Sequence, residues 1–389
     1  KITMANNNDN KVLNVPPLRF PEFSGEWKMC TIGELITKVG SGVTPRGGEA
    51  VYKTEGHPFV RSQNVGLGNL LLDDIAFIDE ETHLRQKNTE LQFNDVLLNI
   101  TGASIGRSAL VDKQIVGGNV NQHVCIIRTK ENLVPSFICS FLLSNYGQRQ
   151  IDSFQAGGNR QGLNFEQIKS IKITIPSKDE QIKIAKLLRA IDERIATQNK
   201  IIDKLQSLIK GLRVCCMQRN GSNNVYLSEI AQIYQPQTIS SAELTEDGFL
   251  VYGANGIIGK YKDYNHKTEQ ICITCRGNTC GMVNYTKPMS WITGNAMVIN
   301  TDKYQDKVYK KYLYHYLSAY NFNSIISGSG QPQIVRTPLE KLKITLPTIS
   351  EQKQKAMILD KVQDKIEINH NILNLYILQK QYLLRQMFI

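Results

Sequence analysis

No run of about 18 consecutive apolar residues occurs in the sequence, which excludes a membrane-spanning helix. The first ten residues are polar, so no secretory signal is visible, and Met4 fits a natural start. Cysteine is sparse, with eight residues among 389 and no regular spacing. Such usage fits a reducing compartment rather than a disulfide-stabilised scaffold. We therefore expect a cytoplasmic protein.

Sequence motifs for nucleotide binding and methyl transfer are also missing. The glycine runs Gly40-Ser-Gly42 and Gly157-Gly158 lack a Walker lysine and a following helix, which argues against nucleotide binding. Asn14-Val-Pro-Pro17 lacks the aromatic residue with which a DNA amino-methyltransferase holds a flipped base. No grouping of carboxylates with a lysine indicates a nuclease centre. We predict that this chain has no catalytic site.

Three cysteines have a spacing that could suggest zinc: Cys272, Cys275 and Cys280. A zinc site would need a turn between the first two cysteines and a fourth ligand. The segment from Ile271 to Cys275 instead alternates as a strand does, which points Cys272 and Cys275 to opposite faces. The six histidines form no H-x-x-x-H pair. We predict no metal site.

Positive charge is in excess. The 46 lysines and arginines outnumber the 35 aspartates and glutamates, which gives a formal net charge of +11. This excess favours a polyanionic partner such as nucleic acid. Charge alone fits an ordinary basic protein about equally well, so the organisation of the chain has to decide.

The chain contains an internal repeat. Ile171–Gln181 and Leu342–Gln352 lie 171 residues apart and share six of eleven residues. Further matches, at offsets that drift, pair Gly157–Leu163 with Gly328–Ile334, Thr101–Gly106 with Arg276–Gly281, Gly118-Asn119 with Gly294-Asn295, and Thr31–Leu35 with Leu227–Ile230. Such similarity indicates duplicated structural units. It predicts two domains of one plan with different loop lengths.

Each repeat ends in the signal for a long helix. Ser177–Glu180 and Thr348–Glu351 follow a proline and have the S/T-x-x-E pattern of a capping box. We predict one helix from Lys178 to about Arg219 and a second from Ile349 to the last residue. Each helix should be about 60 Å long at 1.5 Å per residue.

Both predicted helices carry a heptad stripe with a polar residue at the same place. Such a residue in a coiled-coil seam fixes register at a cost in stability. The predicted seam consists of Ile184, Leu188, Ile191, Ile195, Gln198, Ile202, Leu205, Leu359, Val362, Ile366, Asn369 and Leu373. Each helix could instead pack on its own domain. We favour a helix–helix pair because a domain of ordinary size cannot cover a stripe of about 60 Å. We expect the pair to be antiparallel because the second domain must return the chain to the start of the second helix and a pseudo-two-fold axis should relate the two halves.

The regions before the helices have the composition of short strands and helices broken by Gly, Asn and Pro. Predicted strands are Asp95–Thr101, Val124–Thr129, Ile271–Cys275 and Ala296–Asn300, and predicted short helices are Pro135–Tyr146 and Lys310–Leu317. We assign an α+β fold in which two tandem mixed α/β domains, related by the internal repeat, are separated by two long helices that form an antiparallel coiled coil. The predicted bounds are 1–176 and 221–347 for the domains, and 177–220 and 348–389 for the helices.

The loops of both domains are rich in side chains that read base edges. Arginine can bind guanine with two hydrogen bonds, and asparagine or glutamine can bind adenine in the same way. The candidates are Thr44, Arg46, Arg61, Gln63, Asn64, Arg107, Asn119, Asn121, Gln122, Arg160 and Gln161 in the first domain, and Gln235, Gln237, Asn255, Lys260, Arg276, Asn278, Gln331 and Gln333 in the second. Any one of them could simply form a turn. As a set in a basic, duplicated chain, they favour DNA contact.

Several segments also carry a family resemblance. They are Leu18–Trp27, Thr101–Gly106, Val251–Gly259, and the Ile175-Pro and Leu346-Pro pairs that lead into the Glu-Gln helices. With the repeated order of domain and helix, these segments resemble the specificity subunits of Type I restriction-modification enzymes over nearly the whole chain. The resemblance implies two target-recognition domains, each reading one half of a split, asymmetric double-stranded DNA target.

The resemblance also implies partner proteins. Two modification subunits that methylate adenine would dock on the paired helices, and restriction subunits would add translocation and cleavage. S-adenosylmethionine, ATP and magnesium would then belong to those subunits, and this chain would hold no cofactor. Two alternatives remain: a non-catalytic coiled-coil scaffold with two protein-binding modules, or a self-contained DNA-modifying enzyme with an unrecognised site.

Overall fold

The chain folds into two compact units in the computed structural model, which describes residues 3–4, 14–155, 162–217, 223–254, 256–328 and 330–389. Unit 1 consists of Lys1–Asn199 and Ile372–Ile389, and unit 2 consists of Lys200–Asn371. Each unit therefore contains a globular domain and one part of each long helix.

The strands of unit 1 pair antiparallel except for one parallel pair among the described residues. Its strands are Thr3–Met4 (β1), Leu18–Arg19 (β2), Lys28–Thr31 (β3), Ile36–Ser41 (β4), His57–Val60 (β5), Ala76–Ile78 (β6), Val96–Asn99 (β7), Ser108–Leu110 (β8), Asn119–Val120 (β9), Val124–Thr129 (β10) and Lys172–Ile175 (β11). The sheets have the orders β4-β10-β7-β8, β6-β5-β9, β11-β3 and β1-β2, and β5 runs parallel to β9. The helices are Ile32–Leu35 (α1), Glu80–Arg85 (α2), Pro135–Leu143 (α3), Asn145–Ser153 (α4), Phe165–Ser170 (α5) and the long Lys178–Met217 (α6).

Unit 2 repeats this topology. Its strands are Asn223–Tyr226 (β12), Gln232–Tyr234 (β13), Phe249–Gly253 (β14), Gly256–Tyr261 (β15), Ile271–Thr274 (β16), Val283–Tyr285 (β17), Trp291–Ile292 (β18), Ala296–Asn300 (β19) and Lys343–Leu346 (β20). The sheet orders β13-β19-β16-β17, β15-β14-β18 and β12-β20 match three sheets of unit 1, and β14 runs parallel to β18. The helices are Lys310–Ala319 (α7), Arg336–Glu340 (α8) and the long Ile349–Gln386 (α9). The predicted tandem α+β repeat is confirmed.

The repeat extends to single hydrogen bonds. Gly106 N donates to Asn99 O at 3.0 Å, and Gly281 N donates to Thr274 O at 2.9 Å, as the sequence match of these two turns requires. The match of Gly118-Asn119 with Gly294-Asn295 is wrong. In unit 1 the parallel strand pair places Asn119 opposite Phe59, and in unit 2 the equivalent pair places Trp291 opposite Val251. The counterpart of Asn119 is therefore Trp291, which lies four residues before Asn295.

The predicted short elements are confirmed, and four of the six have different bounds. Val124–Thr129 and Ala296–Asn300 are strands over the predicted bounds. The predicted helix Pro135–Tyr146 ends at Leu143, and a second helix begins at Asn145. Ser144 causes the break, because its backbone is extended and its side chain accepts a hydrogen bond from Gly147 N.

The core of unit 1 lies between its four-stranded sheet, its helices and the last residues of α9. Phe137 of α3 is fully buried, with its ring 6.0 Å from that of Trp27 and 5.2 Å from that of Phe388. Met387 and Phe388 are fully buried in the same cluster. The end of α9, with Leu383 and Leu384, and the two residues that follow it therefore belong to the core of the first domain, more than 200 residues earlier in the chain.

In unit 2 the central strand β16 has a core on both faces. Ile271, Ile273 and Cys275 belong to one buried cluster, and Cys272 belongs to another with Tyr252. The two cysteines thus lie on opposite faces, as the alternation predicts. Burial raises the pKa of Cys272 to about 12, so this thiol stays protonated and is a poor metal ligand.

The two long helices begin at the predicted residues but differ in their caps. At the start of α9, Thr348 and Glu351 form the complete capping box, with the Glu351 carboxylate accepting from Thr348 N at 3.0 Å. At the start of α6, Glu180 N donates to Ser177 Oγ, but the buried Glu180 carboxylate accepts two hydrogen bonds from Arg19 at 2.7 and 2.8 Å. The glutamate of this capping pattern therefore forms an ion pair with Arg19, which joins strand β2 to α6.

A buried glutamine fastens each long helix to its domain. The Gln181 side chain accepts from Val134 N at 2.9 Å and donates to Asn132 O and Pro176 O. Gln352 makes the same three bonds in unit 2, including one from Tyr309 N at 2.8 Å. Both side chains are almost fully buried, so these bonds replace water entirely. This role explains why the glutamine recurs in the repeat.

The long helices run antiparallel within each unit. In unit 1, Leu383 near the end of α9 packs with Ile184 near the start of α6. Lys380 of α9 donates to the Asp192 carboxylate of α6 at 2.6 Å and to Leu67 O at 3.0 Å. In unit 2, the order is reversed, and Ile209 near the end of α6 packs with residues near the start of α9. The predicted antiparallel helix pair is confirmed.

The residues predicted for the seam are all buried or half-buried. Those that are less than 9% exposed are Ile184, Leu188, Ile191, Gln198, Ile202, Leu359 and Ile366, and those that are half-buried are Ile195, Leu205, Val362, Asn369 and Leu373.

None of the described helices combines the length and the apolar character needed to span a membrane.

A buried histidine links α7 to the helix pair in unit 2. His315 Nε2 lies 3.0 Å from the Asp360 carboxylate, and Arg213 Nε donates to His315 Nδ1 at 3.4 Å. These bonds suit a neutral imidazole, because a proton on Nδ1 would face the Arg213 cation. Burial lowers the pKa of His315 despite the hydrogen bond to Asp360.

This histidine predicts acid sensitivity of unit 2. Because the folded-state pKa of His315 is below its ordinary value of 6.5, the unfolded chain binds a proton first, and stability falls as pH drops below about 6.5. Hydrogen exchange of Lys310–Ala319 should therefore accelerate between pH 7.5 and 5.5, after correction for intrinsic rates. In a His315→Gln variant we expect faster exchange at pH 7.5 and a flatter pH dependence. Equal pH dependence in both proteins would contradict the assignment.

Candidate nucleic-acid interface

Loops from neighbouring strands meet at one end of the four-stranded sheet in each unit. In unit 1 they are residues 42–47 after β4, 100–107 after β7 and 121–123 before β10. In unit 2 they are residues 235–238, 275–282 and 293–295. Because these strands are antiparallel neighbours, the end of one lies beside the start of the next. We call these two surfaces the loop edges of unit 1 and unit 2.

Side chains from all three loops are joined in the loop edge of unit 1. Gln122 Oε1 accepts from Thr44 N at 2.9 Å and also from the Thr44 hydroxyl. Gln122 Nε2 lies 3.1 Å from His123 Nε2, and the other ring nitrogen of His123 bonds the Thr101 hydroxyl. The network links Thr44, Gln122, His123 and Thr101 and so fixes the orientation of the exposed Gln122 amide.

The turn after β7 requires glycine. Gly102 and Gly106 have φ values of 73° and 84°, and Gly277 and Gly281 in unit 2 have 85° and 91°. Side chains other than glycine rarely adopt this left-handed region. The matched segments Thr101–Gly106 and Arg276–Gly281 therefore share one backbone conformation at the same place in both loop edges.

In the loop edge of unit 2, a returning segment closes the surface. Gln235 donates to Gly294 O at 3.0 Å, joining the first and third loops. Arg276 pairs with Gln333 in an isolated bridge, and Gly277 N donates to Pro332 O at 3.0 Å. Unit 1 has the corresponding bridge between Thr101 and Gly162.

Exposed cations project from both loop edges without internal partners. Among the described residues, no carboxylate lies within ion-pair distance of Arg46, Arg107 or Arg276. All three side chains are exposed. Unpaired guanidiniums on an exposed surface are suited to phosphate or guanine.

A second group of candidates surrounds Asp74. Arg61 donates to Asp74 O at 2.7 Å, its guanidinium lies 5.3 Å above the ring of Tyr52, and Gln63 donates to the Asp74 carboxylate. Asn99 of β7 donates to Ser62 O at 2.8 Å and so joins this segment to the loop edge. Arg61 is held by an aspartate in the free protein, and DNA would have to compete for it.

Three candidate asparagines are buried. Asn64 is fully buried and bonds Leu71 O and Asp74. Asn119 is also fully buried and bonds Gln86 O and His83. Their amides shape the domain and are not exposed to a DNA partner in this structure. Asn121, also buried, accepts from His123 N and orients the loop.

The other candidates lie as follows. Gln122, Gln235, Gln237, Asn278, Gln331 and Gln333 are exposed on the loop edges, and Thr44 is half-exposed. Lys260 lies on β15 and pairs with Asp247 at 3.1 Å, away from the loop edge. Arg160, Gln161 and Asn255 lie outside the described residues.

Sequence reasoning missed apolar residues beside the polar ones. Ile257 and Ile258 are 53% and 43% exposed at the β14–β15 hairpin, and Val43 is 63% exposed beside Thr44. The hairpin is anchored to the loop edge because Thr274 and Thr279 donate to Ala254 O. Exposed aliphatic groups can contact the methyl group of thymine. Only their exposure, which a sequence does not give, marks them.

No group of three or more His, Cys, Asp or Glu side chains that could hold a metal ion occurs among the described residues. The polar side chains described on the two loop edges are amides, hydroxyls, guanidiniums and the imidazole of His123. Such a surface can bind a polyanion and distinguish hydrogen-bond patterns.

Comparison with known proteins agrees with this geometry. Residues 24–207 and 220–375 each match the family described as the Type I restriction modification DNA specificity domain. A putative Type I restriction enzyme MjaX specificity subunit from Methanocaldococcus jannaschii is 23% identical over 391 residues and covers 89% of both chains. The EcoKI specificity subunit of Escherichia coli is 22% identical over 246 residues, 60% of this chain and 50% of its own.

Solved structures show the same fold. The S subunit of a Type I restriction-modification system from M. genitalium has a TM-score of 0.65 at 16% identity and covers 96% of this chain and 99% of its own. A second similar chain comes from a structure that concerns complex assembly and conformational transition of the Type I restriction-modification system. It has a TM-score of 0.55 at 15% identity and covers 92% of this chain and 96% of its own. With two matches to the domain family in one chain, the protein belongs to the specificity subunits of Type I restriction-modification systems.

Proposed function

We propose that each loop edge reads one half of a split, asymmetric target in double-stranded DNA. Specificity subunits are non-catalytic DNA-recognition subunits, so recognition is the activity to be located. The observation that carries the proposal is the occurrence, in both units, of the same three-loop surface with unpaired arginines, Arg107 in one and Arg276 in the other. Arginine can donate two hydrogen bonds to guanine, and glutamine can do the same with adenine.

We also propose the partners that supply chemistry. Two modification subunits would dock on the helix pair and carry S-adenosylmethionine, and restriction subunits would add ATP- and magnesium-dependent steps. The length of the helix pair would then set the separation of the two half-sites. The proposal is supported by the family match and by the similarity to a chain from a structure concerned with complex assembly of the Type I system.

Arg107→Ala and Arg276→Ala test the proposal. Assembled with modification subunits, each variant should weaken binding to the mapped target by about 5- to 150-fold, the equivalent of roughly 1–3 kcal/mol. Each should relax sequence preference in one half-site and leave the other unchanged. Competition binding with targets mutated in one half-site at a time measures this, once methylated adenines in a genome carrying the system have identified the target.

Lys169→Ala is the matched control. Lys169 is partly exposed, pairs with Glu166 and lies beside Gly33, at the end of the strands opposite the loop edge. Its loss removes one charge without touching the proposed interface. Unchanged affinity and preference in both arginine variants would contradict the proposal. Sequence-independent binding by the intact complex would favour a scaffold, and methylation or cleavage by this chain alone would favour an enzyme.

A further inference from the structure

A cavity of about 420 Å³ in unit 1 lies between α4 and the last turns of α9. Its lining includes Asn145 and Arg149 from α4, and Gln381 and Arg385 from α9. In each helix the two residues are four positions apart, which places them on one face. Each of these two pairs therefore offers the cavity one side-chain amide and one guanidinium.

The two arginines make this a site for an anion. Arg149 and Arg385 are exposed, and no carboxylate of a described residue lies within ion-pair distance of either. Like charges that face one cavity repel each other, and an anion between them replaces repulsion by attraction. The planar guanidinium matches a pair of phosphate oxygens. We propose that this cavity binds one phosphate of the DNA backbone.

The cavity is joined to the loop edge of unit 1, and this favours DNA over an acidic segment of a protein. Gln148 lines the cavity and donates to Gly106 O at 3.0 Å, in the turn that ends at Arg107. A duplex read by that turn would carry its backbone past α4. The inference thus rests on the proposed function and adds a contact that fixes the register of the duplex, because phosphate contacts position a protein without reading bases.

Unit 2 has different residues at the corresponding places. Gly281, the counterpart of Gly106, is approached by the buried Phe322 instead of a glutamine. The residue 171 positions before Arg385 is Val214. The phosphate site is therefore a feature of unit 1, and it should act on one flank of the target only.

Salt dependence of binding tests the site. In the complex with modification subunits, Arg149→Ala and Arg385→Ala should each weaken target binding by about 3- to 10-fold at 100 mM salt. The slope of log K against log salt should become less steep by about 0.9, the value for one phosphate contact. In the double variant the slope should change by about the same amount as in each single variant, rather than by twice as much, because both arginines contact one phosphate. Lys169→Ala should leave the slope unchanged.

A neutral phosphate then locates the contact. Replacing single phosphates by methylphosphonates along the target should weaken wild-type binding at one position on the flank of the half-site read by unit 1. The same replacement should have no effect in Arg149→Ala, whereas Lys169→Ala should respond like the wild type. Slopes equal to the control, or no position at which wild type and Arg149→Ala differ, would overturn the site. Loss of subunit assembly with an unchanged slope would also overturn it and assign the cavity to a partner's carboxylate. In each case retained sequence-specific binding would leave the proposed function intact.

Discussion

Replacing Phe388 by alanine should lower the free energy of unfolding of unit 1 by about 3–5 kcal/mol, the range for a large aromatic removed from a core. Its side chain is fully buried, and its ring lies 5.2 Å from that of Phe137 and 6.2 Å from that of Phe141. The substitution leaves a cavity in this cluster. The rings of Phe137 and Phe141 cannot fill the cavity unless α3 moves. A residue at the far end of the chain should thus decide the stability of the first domain.

The two tryptophans allow each unit to be followed separately. Trp27 is buried in the same core as Phe388, and Trp291 lies in unit 2. With Trp291→Phe as background, denaturant titration of Trp27 fluorescence should show the destabilisation. Leu378→Ala is the matched control, because Leu378 lies near the end of α9, before Phe388 in the chain, and is 59% exposed. It should change stability by no more than about 0.5 kcal/mol. Equal midpoints for Phe388→Ala and the control would contradict this role.

The sequence alone predicted the fold because its signals are periodic or repeated. The heptad of α6 and α9, the alternation of β16 and the twin prolines before Glu-Gln each report local geometry, and the structure has them at the predicted positions. The ion pair between Glu180 and Arg19 was not predictable, because it joins residues 161 positions apart. Long-range contacts of this kind leave no mark in a local pattern.

The candidate site was harder to predict for a chemical reason. Asparagine suits a base contact, a turn and a buried hydrogen-bond network equally well, and Asn64 and Asn119 turned out to form networks. The misplaced match of Gly118-Asn119 has a related cause, since a common turn dipeptide recurs by chance in loops of different length. Arg149 and Arg385 were missed because they converge only when the end of α9 returns to unit 1.

Removing one heptad from both long helices should change the DNA target and leave the half-site sequences unchanged. Deletion of residues 195–201 and 366–372 brings Ile202 to the place of Ile195 and Leu373 to that of Ile366, so the apolar seam continues. Seven residues shorten each helix by about 10 Å. At about 3.4 Å per base pair, the preferred spacer should lose about three base pairs.

Comparison of spacer variants measures this effect. In the complex with modification subunits, the deletion protein should bind the original target at least about a hundredfold more weakly, because only one half-site can then be read in register. A target shortened by three base pairs should restore binding. The matched control removes only residues 195–201, which breaks the pairing of the two stripes and should lower affinity for every spacer. An unchanged spacer preference in the double deletion would refute the proposal that helix length sets the distance between half-sites, and would move that role to the loop edges themselves.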